Sequence, residues 1–455
     1  MTRSRREFMK FLGAGAMVAP LAGVYARAAH GMPAFGPGFG PLAPVLPLNT
    51  AELAVPGAFD LRNIALLELP RGFSYRAVSC TGQRMSDGSL VPGDHDGMAA
   101  FAGRDGTTVL VRNHELSNRE AKFGNALGVQ VPDALKWDTF ANGGTTTLVV
   151  DARGRLVRDH ASLGGTNNNC AGGLTPWGTW LTCEESFVTP ENTPQSPYQR
   201  RHGYVFEVPA LATAPVAARP ITAMGRFNHE ATATDPRTGI VYLSEDRADG
   251  CLYRFVPHHA GHLAAGGTLQ ALKLAGGGSV NTATGLRAEL NRPLPVEWVT
   301  IEDVDPVGDT VRVEARSKGA ARFARGEGLW HGNGAVYLVC TSGGDAGAGQ
   351  VFAHDPLRGT LTLVVESTDR AVLDAPDNLT VGPDGRLYLC EDGSEGNSIV
   401  GVNPDGALFL AARNAFNTSE FCGACFSHDG RFMFVNVQSP GLTLVIEGPW
   451  RKGAA

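Results

Sequence analysis

What the 455-residue chain lacks narrows it first. It has no basic stripe or cluster, and its 39 Lys and Arg stand against 45 Asp and Glu for a net charge of −6. Nucleic acid is therefore not expected as its main partner. No long run of one charge occurs, and 18% charged against 43% apolar residues is a globular balance. Nor is there an apolar run of the roughly 20 residues that a membrane span needs. The nearest candidate, Phe11 to Val24, is short and rich in Gly and Ala, so no stable membrane anchor is expected.

That stretch instead follows Ser4-Arg5-Arg6-Glu7-Phe8-Met9-Lys10 and precedes Ala26-Arg27-Ala28. Twin arginines, a weak apolar segment and a small-residue cleavage site read as a twin-arginine signal peptide over residues 1–28. The expected partner is the twin-arginine export machinery, and the expected compartment periplasmic or extracellular. Residues 29–60 read as a Gly/Pro-rich linker and N-terminal segment that packs little, and 61–455 as one domain.

That domain is written as a repeated sentence. Asp377 to Asp392, DNLTVGPDGRLYLCED, opens on a carboxylate, runs through an apolar segment, turns at Pro383-Asp384-Gly385 and returns to an acidic pair. An Asp-Gly turn between apolar runs signals a β-hairpin. Five more hairpins share the layout, led by Asp96, Cys170, His229-Glu230, Glu327 and Glu420. Their spacings, roughly 45 to 95 residues, are those of four-stranded blades with insertions. The expected fold is all-β: a six-bladed β-propeller with loop insertions and a metal site in its central channel. The stretch from Leu263 to Val304 is left as either extra strands on the third blade or a flap, and Glu191 to Arg201 as a candidate lid.

In a propeller the heads of the innermost strands converge on one mouth. Here they are Asp96, Cys170, Glu230, Glu327, Asp377 and Glu420, joined by Glu115, Glu184, Glu185, Glu245, Asp246, Glu391 and Asp392 from the ends of the second strands. Any one of these acids can cap a turn or pair with Arg112, Arg247 or Arg386. A funnel lined by all of them repels itself unless cations neutralise it. Hard oxygen donors suit Ca²⁺ or Fe³⁺, and one thiolate biases part of the site toward a transition metal.

The eight cysteines are otherwise read as buried small hydrophobes or occasional disulfides. Cys422 and Cys425 are expected on opposite strand faces, which disfavours zinc there. Arg325, two residues before Glu327, is placed to clamp an anionic phosphoryl group. Asn113, His114 and the run Asn167 to Asn169 are candidate hydrogen-bond donors to it.

These motifs together carry a resemblance. RNHE from Arg112, GGTNNNCAGGLTPWGTWLTCEE from Gly164, FNHEATATDPRTGIVYLSEDR from Phe227, RGEG from Arg325, APDNLTVGPDGRLYLCEDG from Ala375 and EFCGACFSHDGRFMFVNVQSPG from Glu420 resemble the PhoX family of secreted alkaline phosphatases. The resemblance runs from about Leu69 to Gly441. It implies a monomer acting on small phosphomonoesters through an iron–calcium cluster. It places a ferric-iron thiolate at Cys170, further metal-binding acids at Glu230, Glu327, Asp377, Glu391, Asp392 and Glu420, and a phosphate contact at Arg325. Glu184 and Glu245 join the metal candidates by position. A calcium-dependent propeller hydrolase of lactones or phosphodiesters, and a calcium-stabilised binding propeller, are the alternatives.

Overall fold

The computed structural model describes residues 36, 38–55, 59–117, 128–191, 198–277, 279–394 and 396–451. The expected signal peptide and part of the Glu191–Arg201 stretch lie outside them. All six hairpins form, and each is the inner part of one blade of a β-propeller. Their inner strands are His95–Ala102, Asn169–Leu174, His229–Thr234, Gly326–Gly332, Pro376–Val381 and Phe421–Phe426. Each packs beside the next, and the sixth packs beside the first, so the ring is closed.

The outer strands show how the chain closes that ring. Blade 6 takes its fourth strand, Ser74–Cys80, from the beginning of the described chain; it pairs with Leu442–Glu447 near the end. Blade 5 is extended by Leu67–Pro70 and then Leu42–Val45. The segment expected to pack little is thus partly structural. Phe39 sits edge-on to Phe73, Phe409 and Trp450 at centroid distances of 5.0, 5.6 and 5.6 Å. The open choice at Leu263–Val304 resolves as strands: Gly267–Leu274 and Leu294–Thr300 extend blade 3, and the latter pairs with the outer strand of blade 4.

One irregularity recurs in every blade and builds the site. Each inner strand carries a β-bulge at the same place, at Asp96-Gly97, Cys170-Ala171, Glu230-Ala231, Glu327-Gly328, Asp377-Asn378 and Gly423-Ala424. The extra residue breaks the pairing and re-aims its side chain, here toward the channel. In five of the six a Gly or Ala follows, because the backbones of neighbouring blades nearly touch. A Cβ on Gly97 would lie 2.5 Å from the Ala171 Cα, and one on Gly328 2.7 Å from the Asp377 carbonyl oxygen.

Register also corrects the sixth head. The residue equivalent to Asp96 in blade 6 is Gly423, not Glu420, which lies three positions earlier, before the strand begins. No side chain fits at Gly423: its φ is +62°, and a Cβ would lie 2.5 Å from the Asp96 carbonyl oxygen. Gly423→Ala is expected to cost roughly 2 kcal/mol or more from left-handed strain and overpacking, read as a lower urea midpoint. The same bulge overturns the expected facing of the cysteine pair. Cys422 and Cys425 oppose Asn436 and Phe434, two apart, so both lie on one face. No zinc pair results, because the Cys422 thiol donates to the His95 carbonyl at 2.9 Å while Cys425 packs among Met98, Phe432 and Phe434. All eight cysteines are buried and unpaired.

Candidate metal centre

The bulges are latched from the side. Asn113 donates to the carbonyls of Cys170 (3.1 Å) and Ala171 (2.7 Å) and accepts from the Trp180 indole (2.8 Å). Ser244 donates to the Glu327 carbonyl and Asn436 to the Asp96 carbonyl, each at 2.5 Å, and Asn378 accepts from the Gly423 amide at 2.8 Å. Asn113 was expected to meet substrate, but both ends of its amide are spent holding the Cys170 bulge. His114 was expected there too. It is fully buried, with Nδ1 on the Gly93 carbonyl (2.7 Å) and Nε2 by Thr146 Oγ1 (2.9 Å). Burial, then the nearby Arg112, holds its pKa well below the ordinary histidine value, so it is a neutral strut.

The second-strand acids divide by strand alternation. Glu184, Glu245 and Glu391 sit opposite Asn169, His229 and Pro376, the residues just before each bulge, and turn into the blades. Glu184 accepts from the backbone of Asn167, Gly203 and Tyr204 and touches His202 at 2.7 Å. Glu245 accepts from the Tyr253 hydroxyl and the Cys251 amide, and Glu391 from the amides of Asp374 and Ser398. The structure does not bring these three candidates into the channel group. Their neighbours Glu185, Asp246 and Asp392 take that place, because successive strand residues point opposite ways.

The channel mouth therefore gathers nine carboxylates, of Asp96, Glu115, Glu185, Glu230, Asp246, Glu327, Asp377, Asp392 and Glu420, with the Cys170 thiol. Two groups converge most closely. One ligand atom each from Cys170, Glu185 and Glu230 lie within 4.8 Å of one another, as do those of Glu230, Glu327 and Asp377. Glu230 belongs to both. Burial and then mutual repulsion hold the carboxyls of Asp96, Glu185, Glu230, Glu327 and Glu420 well above their ordinary range, and push Asp377 to about 8. Burial, then Glu230, holds the Cys170 thiol up as well. Such a cluster keeps protons it would give up to cations.

Arg325 is the guanidinium that faces this cluster. Its Nε and Nη2 form a fork on Asp246 at 2.8 and 3.0 Å, and Nη2 lies 2.9 Å from Glu327 Oε1. Nη1 makes no hydrogen bond among the described residues, and the side chain is 45% exposed. The fork leaves that edge turned to the open mouth.

Comparison with solved structures agrees on the fold. A PhoX from Pseudomonas fluorescens, solved in complex with vanadate, a transition state analogue, is similar over 91% of this chain and 98% of its own, at 18% identity and a TM-score of 0.65. A gluconolactonase from Xanthomonas campestris (90% of this chain, 98% of its own, 10% identity, TM-score 0.42) and a streptogramin B lyase (83% and 98%, 11%, 0.39) are more distant. No curated protein sequence matches the chain. The model of the family described as alkaline phosphatase PhoX matches residues 56–441, most of the chain. This protein therefore belongs to the PhoX alkaline phosphatases and is a metal-dependent phosphatase of phosphomonoesters.

Proposed function

We propose that the acid funnel holds iron and calcium, and that small phosphomonoesters are hydrolysed at its mouth. The observation that carries this is the pair of convergent donor groups sharing Glu230. The group with the Cys170 thiol fits Fe³⁺, and the all-oxygen group of Glu230, Glu327 and Asp377 fits Ca²⁺. The fit is also electrostatic: eight buried or half-buried carboxylates and the exposed Asp392 face one guanidinium, and only added positive charge lets them ionise together. Bound there, the cations would polarise the phosphoryl oxygens and acidify a water for in-line attack.

The chain's own residues do the rest. The latched bulges fix Cys170 and Glu327 before anything binds, and the Ala231 amide on Ser244 Oγ holds the bulge at Glu230. Asp246 and Glu327 aim the Arg325 guanidinium so that its Nη1 edge meets the equatorial oxygens, where charge spreads in the transition state. The six blades that carry the cluster close into a ring within one chain, which supports action as a monomer. The twin-arginine segment at residues 4–10 supports export to the periplasm or beyond.

The test is elemental analysis of the purified protein, with p-nitrophenyl phosphate hydrolysis measured before and after a calcium chelator. Iron and calcium together, with activity lost on chelation and restored by calcium, are expected. Calcium without iron would remove the ferric assignment at Cys170. Arg325→Lys is expected to lower kcat/KM on the order of 10²-fold, since an ammonium cannot reproduce the fork, while metal content stays. An unchanged kcat/KM would take Arg325 out of phosphate binding.

A further inference from the structure

The outer acids of the funnel are joined by a belt of carboxamides running from blade to blade. On blade 6, Gln438 Nε2 donates to Glu115 Oε2 at 2.6 Å. Ahead of blade 2, Asn168 Nδ2 donates to the other oxygen of Glu115 at 2.9 Å and reaches Glu185 Oε2 at 3.4 Å. Ahead of blade 3, Asn228 Nδ2 donates to Glu185 Oε1 at 3.0 Å and to the Asp246 carbonyl at 3.2 Å. Arg325, on blade 4, then takes both carboxylate oxygens of Asp246. Carboxylates and donors thus alternate across five blades.

Two features mark the belt as more than rim packing. Each amide turns its NH₂ toward carboxyl oxygens, which accept, so its orientation follows from its neighbours. Asn168 also holds a φ of +54°, a left-handed conformation that Asn tolerates better than most residues. Its backbone is tied at both ends, the amide to the Leu116 carbonyl (3.1 Å) and the carbonyl to the Glu185 amide (2.9 Å), so the side chain is delivered between two blades. The inner acids Asp96, Glu230 and Glu420 have no such side-chain donors among the described residues.

We propose that Asn168, Asn228 and Gln438 are positioning residues of the phosphatase site. They hold the carboxyl oxygens of Glu115 and Glu185 in fixed directions before cations arrive. This rests on the reading of the funnel as a cation site. A cation then meets ordered outer carboxylates instead of mobile ones that repel each other, and the ordering raises affinity without the amides touching metal or substrate.

The test uses Gln438→Met, which keeps length and removes the N–H, and the double variant Asn168→Gly with Gln438→Met, in which glycine tolerates the left-handed backbone. Metal-stripped protein is titrated with Ca²⁺ by calorimetry, and thermal unfolding is recorded on the same samples. Calcium binding is expected to weaken about 10–100-fold in the double variant, the usual scale for residues that orient metal-binding groups, and less in the single one. The unfolding midpoint of metal-free Gln438→Met should stay at that of the wild type, and excess calcium should restore its kcat. Unchanged calcium affinity in both variants, with the wild type binding normally, overturns the belt alone. A wild type that binds no calcium overturns the cation reading and the belt with it.

Discussion

Glu230→Gln should abolish most activity and yet leave the metal-free protein at least as stable as the wild type. Glu230 supplies an oxygen to both convergent groups, so its loss weakens both at once. Cation stabilisation of a transferring phosphoryl group is worth several kcal/mol, and each 1.36 kcal/mol is tenfold in rate. A fall in kcat on the order of 10³-fold is expected, with iron and calcium contents reduced together. Stability should be kept or raised without metal, because Glu230 is fully buried beside Glu327, Glu185, Asp377 and Asp96, and an amide there can take no charge. Urea unfolding of chelated protein, beside elemental analysis, separates the two effects. A variant that keeps its full metal content and rate would show that Glu230 is not shared between metals.

The second large effect is a pH dependence of stability centred on His202. Its ring is fully buried, with Nδ1 2.7 Å from Glu184 Oε1 and Nε2 3.5 Å from Asp138 Oδ2. Burial alone would lower its pKa, but Glu184 and Asp138 outweigh burial and raise it to about 9. Asp138, which burial would raise, is held at about 2 by His202 and the amides of Phe140, Gln199 and Arg200. The histidine's folded pKa thus lies above its unfolded value of about 6.5. Its contribution is whole below pH 6.5 and is lost as pH rises through about 9. The span between those values corresponds to about 3 kcal/mol. Urea midpoints measured from pH 6 to 10 should fall for the wild type. His202→Gln should start lower, by about 3 kcal/mol at pH 6, and change little above pH 7. A wild-type profile as flat as the variant's would mean that His202 is neutral in the folded protein.

The blades were legible because their grammar is local. Apolar strand, Asp-Gly turn, apolar strand and acid recur in one window, and at Gly385 the φ of +79° is the conformation that the Pro-Asp-Gly turn implies. Cys170, Glu230, Glu327 and Asp377 were legible for the same reason, as heads of those windows. What was not legible is which of two adjacent acids faces the channel. Glu184-Glu185, Glu245-Asp246 and Glu391-Asp392 read alike in sequence, and the bulge decides the register that separates them. Blade 6 misled through its spacing, since Glu420 has the charge of a head residue while Gly423 has the register. His202 carried no local signal, its partners lying 18 and 64 positions away.

The strand that closes blade 6 sets an order of events. Thr443 pairs with Ser79, so the ring is not complete until almost the whole chain exists. The acids of the funnel likewise run from Asp96 to Glu420. Closing a loop of that size comes late, after local hairpins have formed. The closed funnel therefore exists only once nearly all of this stretch has been made, although both convergent donor groups lie between residues 170 and 377.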